Sequence, residues 1–349
     1  GSVTVAAGSS DSSLGVDVDT SAAGARGGTI TLDRASTGAT GLSDLDLGQQ
    51  SISVSANVYR FADPQVNDVN LGNFHVGDLA QGNVLVQNIA PNDGFSESLI
   101  ANAAGMTGDV DSASGSSLIA PGGGSNGDFT VSVDTSTAGG KTGMALIDLT
   151  SQGAPGLSDT PLPQGAATVT ANVYRFADPQ VNDVNLGNFR VGDSATGSVL
   201  VENIAPADGF SESLLAQSAG STGDVTSATG TSTIAPGGAS NGDLSVAVDT
   251  SSVGNKAGTA LVDLTSLGAP TLSDTPLSQG TANVTATVFR LAEAAPISPD
   301  PIHFGIVHVG DPLAQSLTVS NIAAADGFSE SLSANVTATS GGATGSGAV

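Results

Sequence analysis

Gly94-Phe95-Ser96-Glu97-Ser98 is the first stretch whose residue types suggest chemistry, because a serine just after a glycine resembles a nucleophile elbow. That motif needs glycine two residues beyond the serine, where the strand turns sharply into a helix. Ser98 stands there instead. A serine nucleophile also needs an imidazole base, and the chain offers only His75, His303 and His308. His75 and His308 fall at a repeat position that Arg190 fills in the middle copy, so nothing there depends on a proton-accepting ring. The competing reading makes Asp93-Gly94 a turn, sends Phe95 into the core, and leaves the Ser and Glu to solvent. No catalytic residue is assigned, and the chain is not expected to be an enzyme.

Acidity raises metal binding next, with 33 acidic against 8 basic residues and a net charge of −25. Calcium takes several oxygen ligands converging on one point. Asp63, Asn67 and Asp68, with their equivalents Asp178, Asn182 and Asp183, stand at expected domain junctions. The third junction offers only Glu293 and Asp300. The alternative is that Asp, Asn and Pro here cap strands and bend the connection. No cofactor is assigned, and calcium at these two sets is the one metal worth testing.

Two kinds of cation recur. Lys141 and Lys256 are equivalent and raise the question of an isopeptide cross-link, but the first copy carries Arg26 there, which cannot form the bond. Both read as solvated turn residues. Arg60, Arg175 and Arg290 recur at the end of the last strand of each copy. That regularity points to a structural ion pair near the junction, with Asp63 and Asp178 as expected partners.

The elements that must carry these residues are strands. Val, Ile and Thr recur in short alternating runs, the pattern of a half-buried pleated sheet. Strands are expected near Asn70–Val76, Asn83–Asn88, Ser96–Ala103, Ser117–Ile119, Asp128–Asp134, Met144–Thr150 and Ala167–Tyr174. Turn clusters such as Pro91-Asn92-Asp93-Gly94 separate them. Without cysteine no disulfide staples the fold, so each unit must be large enough to hold a core of its own.

Repetition sets the scale. VYRFADPQVNDVNLGNF occupies Val58–Phe74 and returns unchanged at Val173–Phe189, a shift of 115 residues; a weaker copy starts at Val288. NIAPNDGFSES, NIAPADGFSES and NIAAADGFSES follow from Asn88, Asn203 and Asn321. They place Asp93, Gly94 and Phe95, Asp208, Gly209 and Phe210, and Asp326, Gly327 and Phe328 at one turn-and-core signature. Solenoid units are far shorter than this period, which suits one whole β-sandwich. The fold class expected is all-β: tandem immunoglobulin-like sandwiches over 61–175 and 176–290, flanked by half-domains at 1–60 and 291–349.

Those halves are complementary. Gly1 aligns with Gly115 and Gly230, and three periods of 115 plus a three-residue insert before Pro301 nearly account for the 349 residues. Half a sandwich exposes an apolar face and open edges. Either residues 291–349 pair with residues 1–60 of a neighbouring subunit, propagating head to tail, or the chain is a window on a longer array.

The run Ile302-His303-Phe304-Gly305-Ile306-Val307-His308-Val309-Gly310-Asp311, followed by Ser316-Leu317-Thr318-Val319-Ser320-Asn321, resembles the opening strands of ASPM–SPD-2–Hydin-type immunoglobulin-like domains. The bacterial tandem versions in choice-of-anchor D surface proteins are similar over the whole chain. The resemblance implies a fold and a secreted, multi-domain setting on the bacterial cell surface, and no activity. The expected function is structural: part of an extracellular fibre, filament or biofilm-matrix appendage whose partner is itself or adjacent repeats. The alternative is the stalk of an adhesin with a glycan or protein ligand. Clustered Lys and Arg are absent, so nucleic acid is not an expected partner. No apolar run is long enough to insert in a membrane as a helix.

Overall fold

A computed structural model describes residues 1–347, which are built from strands and turns with no helix among the described residues. They divide into two compact units, one ending at Val173 and one beginning at Tyr174. The first unit opens with a hairpin, β1 (Gly24–Ser36) and β2 (Leu45–Val58). These two strands form a sheet of their own in antiparallel register, with Ile30 opposite Ile52.

A sandwich follows, made from β3 (Pro64–Val66), β4 (Val69–His75), β5 (Ala80–Val84), β6 (Val86–Asn88), β7 (Ser98–Gly108), β8 (Val110–Ser114), β9 (Ser116–Ile119), β10 (Phe129–Val133), β11 (Gly139–Gln152), β12 (Thr160–Pro161) and β13 (Gly165–Tyr174). The large sheet runs β4-β13-β11-β7-β9, with β12 pairing β11. Facing it are the sheet β5-β10-β8 and the short pair β3-β6. Alternation along β13 explains why it sits mid-sheet: Ala167, Val169, Ala171 and Val173 are buried, while the residues between them are partly or wholly exposed. Ala167, Val169 and Ala171 pack with Phe129, Leu99, Ile119 and Ile147 into one core.

The second unit repeats the plan with β14 (Pro179–Val181), β15 (Val184–Arg190), β16 (Ala195–Ser198), β17 (Val201–Asn203), β18 (Ser213–Gly223), β19 (Val225–Thr229), β20 (Thr231–Ile234), β21 (Ser245–Val248), β22 (Gly254–Leu267), β23 (Thr275–Pro276) and β24 (Gly280–Phe289). Its large sheet runs β15-β24-β22-β18-β20, and β15 pairs β24 in parallel. Leu244 takes the place of Phe129 at the centre of its core. Among the described residues beyond β24 there are only isolated bridges, such as Ser298 with Thr318 and Ala294 with Asn321.

Three expectations change. The strand expected over Asn83–Asn88 breaks after Val84, with β5 and β6 in different sheets. β3, β8 and β12 are strands that hydropathy alone missed, because each is only two to five residues long. Lys141 and Lys256 are not solvated turn residues: they lie within β11 and β22, buried by their stems, and their Nζ atoms donate to Thr137 Oγ1 at 2.9 Å and Ser252 Oγ at 2.8 Å.

Candidate functional site

The feature that recurs three times is a clasp between the end of a last strand and the turn of the sandwich that follows it in sequence. Gly94 takes a φ of +83°, which a side chain would oppose, and Asp93 Oδ1 accepts the Phe95 N–H at 3.0 Å. That turn presents the other carboxylate oxygen of Asp93 to Arg60, whose Nη1 donates to it at 2.6 Å and to Ser96 Oγ at 2.8 Å. The backbone joins in: Arg60 N–H donates to the Phe95 carbonyl and Glu97 N–H to the Arg60 carbonyl, a parallel bridge. Tyr59 stands over Phe95 with ring centroids 5.8 Å apart.

The set returns in the second unit. Arg175 reaches Asp208 and Ser211 at 2.7 and 2.8 Å, beside Tyr174 and Phe210 at 5.7 Å. Arg290 reaches Asp326 and Ser329 at 2.6 and 3.1 Å, beside Phe289 and Phe328 at 6.3 Å. The expected partners of these arginines, Asp63 and Asp178, are replaced by aspartates 33 residues away in sequence, which the tertiary fold brings close. Phe95, expected in the core, is half-buried in the clasp instead. Ser96 is tied on both sides, since its hydroxyl donates to the Pro91 carbonyl at 2.5 Å while accepting from Arg60.

Glu97, expected in solvent, is buried. Its Oε2 accepts from Ser151 Oγ at 2.6 Å and its Oε1 from the Ala154 N–H at 3.3 Å, while Ser151 Oγ accepts the Ala62 N–H at 2.8 Å. Beside it Asn88 is wholly enclosed. Its Oδ1 accepts from the Asp63 and Ala90 N–H groups, and its Nδ2 donates to the Glu97 and Ile119 carbonyls. Glu212, Ser266 and Asn203 repeat this network in the second unit. Sequence reasoning missed it because a polar Ser-Glu-Ser run carries no sign of burial.

The residues considered for calcium have other work. Asp68 Oδ1 accepts the Thr168 N–H at 2.7 Å, and Asp183 Oδ1 accepts the Asn283 N–H at 2.8 Å, so each pins neighbouring strands. Asn67 donates to Gln87 at 3.2 Å and Asn182 to Glu202 at 3.0 Å. Asp63 and Asp178 offer their backbone N–H groups to Asn88 and Asn203. No group of three acidic or histidine side chains suited to a metal forms among the described residues. Arg190, at the position of His75 and His308, holds Glu330 through Nε at 2.7 Å, and that carboxylate keeps the guanidinium pKa raised.

The clasp has a pH signature. Arg60, then the Phe95 N–H, hold the Asp93 carboxyl below its usual range, and Arg175 with Phe210 do the same for Asp208. For Asp326 the Phe328 N–H is the larger cause and Arg290 the second. A carboxyl depressed in the folded state contributes stability above its unfolded pKa, about 3.9, and loses it as pH falls through the folded value. Protection of the Phe95, Phe210 and Phe328 amides, taken relative to their intrinsic exchange rates, should therefore fall only below about pH 4. Arg60→Ala should move the Asp93 titration upward and speed exchange at Phe95 alone. A titration of Asp93 unchanged by that substitution would contradict the assignment.

No protein-family model matches the chain, and no curated protein matches it. Among solved structures it is similar to repeats EC22-24 of mouse cadherin-23, at 13% identity over 76% of this chain and 75% of that one, with a TM-score of 0.37. Repeats EC1-3 of mouse protocadherin-24 give 12% identity over 75% and 79%, with a TM-score of 0.36. The human desmocollin-1 ectodomain gives 12% over 78% and 50%, with a TM-score of 0.34, so this chain spans half of it. Likenesses this distant carry no functional argument. The strands, registers and paired cores described above do carry a classification: this is an all-β chain of repeated β-sandwich units.

Proposed function

We propose that the chain is an architectural segment of an extracellular or bacterial cell-surface array, such as a fibre, filament or appendage stalk, with sandwich repeats bounded near 61–175 and 176–290. The observation that carries this reading is the parallel pairing of β15 with β24. The chain enters the repeat beside β15 and leaves it from β24, so tension on the two ends loads those hydrogen bonds together, in shear. Bonds sheared together resist far more force than bonds opened one after another. The clasp supports the same reading, since it ties each exit strand into the next turn by an ion pair, a ring contact and two backbone bonds. The resemblance to choice-of-anchor D repeats agrees with a secreted setting.

Single-molecule pulling of the full chain tests this. Each sandwich should unfold as one event releasing about 380–410 Å of contour, the extended length of a 115-residue repeat. Two such events of equal length should dominate each trace. Gradual extension without discrete events would overturn a mechanical role.

A further inference from the structure

The hairpin β1–β2 matches β11–β13 at a spacing of 115 residues, yet its surroundings differ completely. In the complete repeat β7 lies along one flank of that hairpin and β4 along the other, whereas β1 and β2 pair only with each other. Ile30, Leu32, Ile52 and Val54 correspond to Ala145, Ile147, Ala167 and Val169, all fully buried; in the hairpin all four remain partly or largely exposed. The converse holds after β24. Phe304, Leu313 and Leu317 are exposed, although their counterparts Leu186, Ala195 and Val199 pack in or against the second core.

Two finer details match. A side chain at Gly143 would strike the Thr107 carbonyl at 2.2 Å, because β7 presses against it; its counterpart Gly28 has nothing within 4 Å. Ser36 corresponds to Ser151 and Ser266, the partners of Glu97 and Glu212, but lies exposed with no glutamate beside it. Glu330 is the matching glutamate, and the Ala292 N–H matches the donor that fills the serine oxygen in each complete repeat.

We propose that residues 302–341 of a second copy of this chain complete the β1–β2 hairpin, adding a strand to each open edge and closing a further sandwich. The registers of the complete repeats fix the pairing. Ile302 and Val307 lie opposite Val54 and Val58 in parallel, as Val184 and Phe189 lie opposite Val284 and Val288. Val336 and Leu332 lie opposite Leu32 and Ser36 in antiparallel, as Ser218 and Leu214 lie opposite Val262 and Ser266. Ser36 then donates to Glu330. The contact is head to tail, so it continues from copy to copy. This inference rests on the array reading above and names its partner.

The native chain has no cysteine, which allows a clean test. A tagged Asp33→Cys chain is mixed with an Asn335→Cys chain under mild oxidation; these positions match the outward-facing pair Asp263 and Gln217. Mixed dimers should exceed either homodimer at least about tenfold, and an Asp33→Cys with Ser331→Cys mixture should not, because its Cα separation exceeds disulfide reach. Gly28→Val in the Asp33→Cys chain should abolish the mixed product and leave the melting of the complete repeats unchanged. Gly27→Thr should preserve it, since Thr142 occupies that position in the first sandwich. Equal cross-linking at both registers, no mixed product, or indifference to Gly28→Val would overturn second-copy completion. Any of these results alongside two discrete unfolding events in the pulling experiment would leave the array reading standing.

Discussion

Asn88→Ala is expected to destabilise the first sandwich by about 3–5 kcal/mol, a large effect for a polar substitution. Asn88 has no exposed surface and satisfies four backbone groups at once: two N–H donors on its oxygen, two carbonyls on its nitrogen. A buried donor or acceptor left without a partner costs about 1–3 kcal/mol, and partial water entry keeps the sum below the simple total. Asn203→Ala should act equally on the second sandwich, where the same four bonds recur. Asn321→Ala should cost about 1 kcal/mol or less, because that asparagine is exposed and water can replace its bonds. Chemical denaturation with a fluorescence probe in each sandwich reads these effects separately. Equal losses at Asn88 and Asn321 would show that burial is not the cause.

Phe129→Ala is expected to cost about 3–5 kcal/mol through lost apolar transfer and the cavity left behind. Phe129 is 1% exposed and is the largest fully buried side chain, in contact with the cluster that includes Val84, Leu99 and Ile147. Leu occupies the equivalent position in the second sandwich at Leu244, so Phe129→Leu measures how far this core can close around a smaller residue. Its cost should fall well below that of the alanine variant. The two cores share no residues, so the second transition should stay where it is. A matching shift in both transitions would mean that the sandwiches do not unfold independently.

Much of this architecture could be read from residues alone, because it depends on local and repeated signals. The 115-residue recurrence appears as identical text, and period-two alternation marks β10, β11 and β13. Asp-Gly announces its turn through backbone preference, wherever the rest of the chain goes.

Partnership between distant residues was not legible. Arg60 sits three residues from Asp63 and pairs with Asp93 instead, because the parallel bridge to Ser96 carries that turn alongside the strand end. Glu97 reads as a surface residue and is buried, since Ser151 arrives from β11, 54 residues later, to donate its hydroxyl to the carboxylate. Lys141 reads as a turn and lies in a strand, its charge carried out along an apolar stem.

The array of sandwiches was therefore settled by sequence, which specifies how often strands recur and which side of each is apolar. Which residues meet, and which faces remain open on the β1–β2 hairpin, was decided by the tertiary structure. Pairing between strands depends on closure over tens of residues, and no local pattern encodes its register.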